Sequence, residues 1–171
     1  MGGYVAMTIA LSQPSVVRRL VLAGTGAGGP HRVPRPKHVA DAFLSALRLP
    51  YEEYARRTMP YTFSAGWTDA NPARFEEILA ARLERPTPYS TIEAHAEACY
   101  EFYRAGCEVE GIAAPTLVVH GSEDLIVPVE NGRMLAERIP GARYLELPGR
   151  GHNLPLEDPA TFAAVVQDFL A

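Results

Sequence analysis

Two short apolar runs constrain this chain more than anything else in it: Leu20-Val21-Leu22-Ala23 and Thr116-Leu117-Val118-Val119. Neither alternates apolar with polar. A continuous run of this length is what a parallel strand needs when both of its faces are covered. Each is followed by a glycine-bearing loop. After the first comes Gly24-Thr25-Gly26-Ala27-Gly28-Gly29-Pro30, and after the second Gly121-Ser122-Glu123-Asp124. Ligands of open α/β sheets bind at such carboxyl ends. A mostly apolar helix is expected over Gly2 to Gln13, closed by Pro14, with Gly3 and Ala6 small enough to let it pack closely. Downstream, the pattern predicts a helix over Pro128 to Ile139, a strand over Tyr144 to Leu147 and a last helix opening at Asp158-Pro159. That helix carries Phe162, Val165, Val166, Phe169 and Leu170 at helical spacing, a core stripe. Strand, helix, strand, helix implies a parallel sheet and an α/β fold.

Between these parts, His31 to about Glu108 reads differently, as about four helices broken by proline. Asn71-Pro72 has a capping residue followed by Pro at the first helical position. Ser90-Thr91-Ile92-Glu93 fits a capping box. The stretch also holds Trp67, Tyr89, Tyr100, Phe102 and Tyr103, rings that either line an apolar pocket or pack this layer onto the core. The organisation expected is therefore a core from residues 1–30 and 109–171 and a helical lid from 31–108.

The composition excludes several classes of function. At 171 residues one domain with a sizeable core is expected. A net charge of −4 gives no reason to expect a nucleic-acid or anionic-membrane partner. No apolar run approaches the roughly 20 residues of a membrane span, and no signal peptide is present, so a cytoplasmic location is expected. Cys99 and Cys107 fall two turns apart on one expected helix, too far to bridge. No His, Cys and Asp cluster has metal-ligand spacing. The glycine run at 24–29 lacks the lysine of a phosphate-binding loop and runs into Pro30 rather than a helix. No cofactor is expected.

The chemistry concentrates in two loops. His152 sits between Gly149, Gly151 and the Glu157-Asp158-Pro159 segment, in a loop between a strand and a helix. An imidazole there suits a general base, because its ordinary pKa of ~6.5 lets it accept and return a proton near neutrality. Asp124 follows the strand ending near Val119, three residues after Gly121, where a carboxylate reaches an imidazole N–H. Glu123 is the nearest competitor for that role. Asp158 is better read as a helix cap, and His120 as a strand-end residue.

These features, with Met1-Gly2-Gly3 opening a helix, resemble the α/β-hydrolase family in the order nucleophile, acid, histidine. The resemblance runs over nearly the whole chain and is weakest between Pro30 and Glu108. In that family the nucleophile stands in G-x-S-x-G on a sharp strand-to-helix turn, and Met1 and Gly2 fit the last two positions. The resemblance thus implies a C-terminal portion of such a fold, with the serine directly before Met1 and Met1 supplying an oxyanion-hole N–H. It implies a small ester, lactone or related carbonyl substrate, as in the enol-lactonase, esterase and C–C hydrolase branches. An Asp nucleophile, as in haloalkane dehalogenases and epoxide hydrolases, stays open. Without a nucleophile the chain alone is expected to be inactive. Without the preceding strands, the edge beside Arg19 to Ala23 is expected to be unpaired and to promote self-association. The alternatives are a non-catalytic binding or interaction module, and one half of a split enzyme completed by a separate N-terminal segment.

Overall fold

A computed structural model describes all 171 residues. Three parallel strands form its centre: β1 (Leu20–Ala23), β2 (Thr116–Gly121) and β3 (Arg143–Leu147), in the order β1-β2-β3. The register sets Leu20 against Thr116 and Ala23 against Val119, then Leu117 against Arg143 and Gly121 against Leu147. Every residue of β2 is buried, as its unbroken apolar run requires. The strand period of two divides the core cleanly. Val118 joins Leu20 and Leu22 on one face, where Tyr4, Met7, Leu135 and Ile139 cover them. Leu117 and Val119 turn to the other face and meet Leu147, Leu154 and Phe169. Burying side chains such as Met7, Leu22 and Leu135, each 1% exposed or less, contributes about 1.5–3 kcal/mol apiece.

The first covering helix, α1 (Gly2–Ser12), buries Tyr4, Met7 and Ala10, three residues apart along one stripe. Gly3 is required where α1 crosses the loop after β1, since a Cβ there would lie 2.5 Å from Thr25 Oγ1.

Residues 37–105 form five helices and no strand: α2 (Lys37–Ala46), α3 (Tyr51–Thr58), α4 (Trp67–Ala70), α5 (Pro72–Leu83) and α6 (Tyr89–Ala105). The extra helix relative to the expected four is the single turn α4, which follows Gly66 in the left-handed conformation. Ala55, Met59 and Leu79 give the layer a small core of its own.

The core resumes with α7 (Val129–Arg138) between β2 and β3, then the single turn α8 (Leu154–Glu157) and α9 (Pro159–Leu170). Asp158 caps α9 through Oδ1, which accepts the Thr161 N–H at 3.2 Å.

Two local readings are corrected and one is borne out. The capping box at Ser90 does not form, because Pro88 already takes the cap position and α6 begins at Tyr89, which places Ser90 inside the first turn. The helix start expected at Asn71-Pro72 is present: Asn71 takes the cap position of α5 with Pro72 at the first helical position, and its side-chain amide donates to Trp67 O at 2.9 Å. Cys107 lies beyond the end of α6, whose last residue is Ala105, so the two cysteines do not share a helix.

Candidate active site

The carboxyl ends of the parallel strands carry the loops that meet here. The β2 end leads through Ser122 and Glu123 to Asp124, and the β3 end leads through Gly149 and Arg150 to His152. Glu123 N–H donates to Arg150 O at 2.9 Å and Gly149 N–H to Ser122 Oγ at 2.8 Å, which ties the two loops together. His152 Nδ1 then stands 2.8 Å from Asp124 Oδ2. The other carboxylate oxygen, Oδ1, accepts the N–H groups of Ile126 and Val127, each at 2.8 Å. With Oδ2 on an ionised carboxylate as acceptor, the imidazole hydrogen sits on Nδ1, leaving Nε2 as the nitrogen free to take a proton.

Gly24 closes the site from the third strand end. Its φ of +56° suits glycine, and a Cβ there would come within 3.0 Å of His152 Nδ1 and 3.3 Å of Asp124 Oδ2. Thr25, the next residue, is the one against which Gly3 of α1 packs. The start of α1 is thereby fixed beside the pair. Met1, half-exposed, occupies the residue before α1 and accepts the Tyr4 N–H.

Asp124 is 4% exposed. Burial alone pushes its carboxyl up, but hydrogen bonds from His120 and His152, the charge on His152 and the Val127 N–H outweigh it and hold the pKa at about 2. The carboxylate therefore stays ionised while buried, the condition for orienting an imidazole.

His120 is legible in sequence as a strand-end residue, without the contact it makes with the acid. It is fully buried at the end of β2, with Nε2 2.8 Å from Val127 O and 3.3 Å from Asp124 Oδ2. A carbonyl only accepts, so Nε2 carries the hydrogen. Nδ1 is left buried without a partner. A polar ring kept at that cost fits a residue held for the acid it touches. The available signal was the four-residue spacing from His120 to Asp124 across the strand end.

Glu123 is resolved by its contacts. Its carboxylate accepts the Ala65 N–H at 3.0 Å, while His152 Nδ1 pairs with Asp124. The aromatic group does not gather into one lining. Phe102 and Tyr103 pack on Tyr4, with the Phe102 ring stacked at 3.9 Å. Trp67 stacks on Phe63 at 4.4 Å, while Tyr89 and Tyr100 are exposed. An open cleft of about 490 Å³ lies between the loop after β1, the end of α6 and α7, but neither Asp124 nor His152 lines it. No group of three His, Cys, Asp or Glu side chains is arranged to hold a metal.

A sequence model described as the alpha/beta hydrolase family matches residues 1–165. The chain belongs to that family. Within the alpha/beta hydrolases it is 33% identical, over 174 residues, to a 2-hydroxy-6-oxononadienedioate/2-hydroxy-6-oxononatrienedioate hydrolase of Cupriavidus pinatubonensis. That alignment takes in 99% of this chain and 59% of the relative. Among solved structures, the enol-lactonase of Burkholderia xenovorans LB400 superposes with a TM-score of 0.77 at 27% identity, covering 99% of this chain and 62% of the other. Est816, described as an N-acyl homoserine lactone degrading enzyme, gives 0.74 at 25% identity, over 98% and 64% of the two chains. This alpha/beta hydrolase chain thus spans about three fifths of the length of the proteins it matches. No helix in it is long and apolar enough to cross a membrane.

Proposed function

We propose that this chain is the acid–base portion of a hydrolase acting on a small ester, lactone or related carbonyl compound by a Ser-His-Asp mechanism. The observation that carries the reading is the 2.8 Å contact between His152 Nδ1 and buried Asp124, with Nε2 free. The hydrolases and lactone-degrading enzymes among its relatives supply the substrate class.

In this reading the nucleophile is a serine directly before Met1, at the start of α1. His152 Nε2 takes the hydroxyl proton as the serine oxygen attacks the substrate carbonyl, and Asp124 stabilises the imidazolium that forms. The N–H of Met1, at the positive end of α1, faces the oxyanion. The imidazolium then protonates the leaving oxygen, and a water deprotonated by the same Nε2 releases the acyl group. Residues 1–30 and 109–171 form the core, and 31–108 the lid above it.

Two surfaces support a completing N-terminal segment. β1 pairs only with β2, so its other edge is free. Helix α1 also carries apolar side chains opposite its buried stripe: Met1, Val5 and Ile9 are 50%, 53% and 42% exposed, four residues apart. Exposed apolar side chains grouped on one helix face suit a covering partner.

The test compares the 171-residue chain, the native-length polypeptide and its His152→Ala variant on short acyl esters and lactones. Turnover is expected from the native-length protein alone, with His152→Ala lowering kcat by about 10⁶. Hydrolysis by the isolated 171-residue chain, or by the variant at near-normal rate, would overturn the reading.

A further inference from the structure

Four hydrogen bonds join one short segment of the helical layer, Thr62–Ala65, to the two loops that carry Asp124 and His152 and to the turn α8 that follows His152. Ala65 N–H donates to Glu123, the residue before Asp124, at 3.0 Å. Asn153, the residue after His152, donates its backbone N–H to Thr62 O at 2.8 Å and its side-chain amide to Thr62 Oγ1 at 2.6 Å. Ser64 N–H donates to Glu157 Oε1. The other Glu157 oxygen, Oε2, accepts the N–H of Gly151, the residue before His152, at 2.8 Å. One carboxylate therefore spans the segment and the histidine loop, and the residues on both sides of His152 are bonded to it or to the segment.

The packing agrees with the hydrogen bonds. Gly151 is buried, and a Cβ on it would overlap the backbone of Phe63 and Ser64. Phe63 is 1% exposed, stacked on Trp67 and edge-on to Phe75 of α5. The segment is thus rigidly attached to α4 and α5 on one side and to the histidine loop on the other.

We infer that Thr62–Ala65 is a clasp through which the helical layer sets the orientation of His152, with Glu157 as the positioning residue that bridges them. Glu157 acts through the Gly151 amide and touches no reacting atom. The inference rests on the hydrolase reading for its relevance to turnover, but its test does not need turnover. Two N–H donors converge on the carboxylate, one on each oxygen. In Glu157→Gln one of those oxygens becomes an NH₂ group, which cannot accept, so one of the two bonds is lost at almost unchanged volume. Gly151→Ala attacks the same contact from the opposite side by pushing Phe63 away while keeping Glu157.

The experiment is proton and nitrogen NMR of the imidazole of His152 in the native-length protein, combined with amide hydrogen exchange. In the parent chain the Nδ1–H signal should be slow to exchange with water, as expected for a hydrogen shared with a buried carboxylate. In Glu157→Gln that signal should broaden beyond detection, and whichever of the Gly151 and Ser64 amides loses its acceptor should exchange on the order of tenfold faster. The Val118 and Val119 amides of β2 should keep their protection. Gly151→Ala should give the same signature. The inference is overturned if Glu157→Gln leaves the Nδ1–H signal intact. It is equally overturned if the signal disappears only together with the protection of β2, which would make Glu157 a general stabilising residue. Loss of turnover in a native-length His152→Ala protein bears on the hydrolase reading alone and leaves this result unaffected.

Discussion

Asp124 and His152 lie 28 residues apart in the chain, yet their side chains meet at 2.8 Å because β2 and β3 are neighbouring parallel strands that release their loops at the same end of the sheet. The contact depends on the sheet register, on Gly24 leaving room, and on the two N–H groups that fix Asp124 Oδ1.

Replacing the acid tests the orientation directly. Asp124→Asn presents an amide that holds the imidazole in the wrong tautomer, so kcat of the native-length hydrolase should fall by about 10⁴. Steady-state kinetics on a short acyl ester checks this, and a loss below tenfold would remove Asp124 from the mechanism.

The same carboxyl gives a pH signature. Its folded pKa of about 2 lies below the 3.8 of an unperturbed aspartate. A depressed carboxyl contributes stability that is fully present above the unfolded value and is lost as pH falls from about 4 through about 2. The shift corresponds to about 2 kcal/mol. Melting temperatures between pH 7 and pH 2 should therefore fall more steeply for the parent chain than for Asp124→Asn, whose amide does not titrate. Parallel curves would contradict the assignment.

His120 is predicted to hold Asp124 in its ionised, oriented state. His120→Phe removes the Nε2–H donor, so the Asp124 pKa should rise from about 2 and turnover should drop about tenfold, the equivalent of one hydrogen bond to a charged group. His120→Gln restores a donor and should recover most of the loss. Carboxyl-carbon NMR of Asp124 reads the first effect. An unchanged Asp124 titration in His120→Phe would make His120 a packing residue only.

Self-association should follow from the free β1 edge and the Met1, Val5 and Ile9 stripe. The 171-residue chain is expected to elute as dimers or larger species in size-exclusion chromatography, and Val5→Lys with Ile9→Lys should shift it towards monomer. A monodisperse parent chain with a sharp cooperative melt would count against the open-edge account.

Much of the core was legible because its signals are local. The runs at Leu20 and Thr116 need cover on both faces, and the glycine-flanked His152 and the Asp124 loop announce themselves by residue type. What escaped depends on residues distant in sequence. His120 looked like an ordinary strand end until β2 buried it against Asp124. Glu123 could not be separated from Asp124 by position, since only the Ala65 N–H shows where its carboxylate turns. The Ser90 capping box failed because Pro88 starts α6 earlier than the box pattern allows. The aromatic group split for a similar reason: Phe102 and Tyr103 met Tyr4 of α1, some hundred residues away. The Thr62–Ala65 clasp left no mark in sequence at all, being made largely of backbone N–H groups.

The most direct test of the central claim is mass-spectrometric mapping of a fluorophosphonate label on the protein as it occurs in its native cell. Such a label forms a covalent bond with an activated serine. The account predicts one labelled serine in a peptide that continues directly into Met1-Gly2-Gly3-Tyr4, with labelling abolished by His152→Ala. A label on a serine within residues 1–171, or no labelling of the native protein, would contradict it.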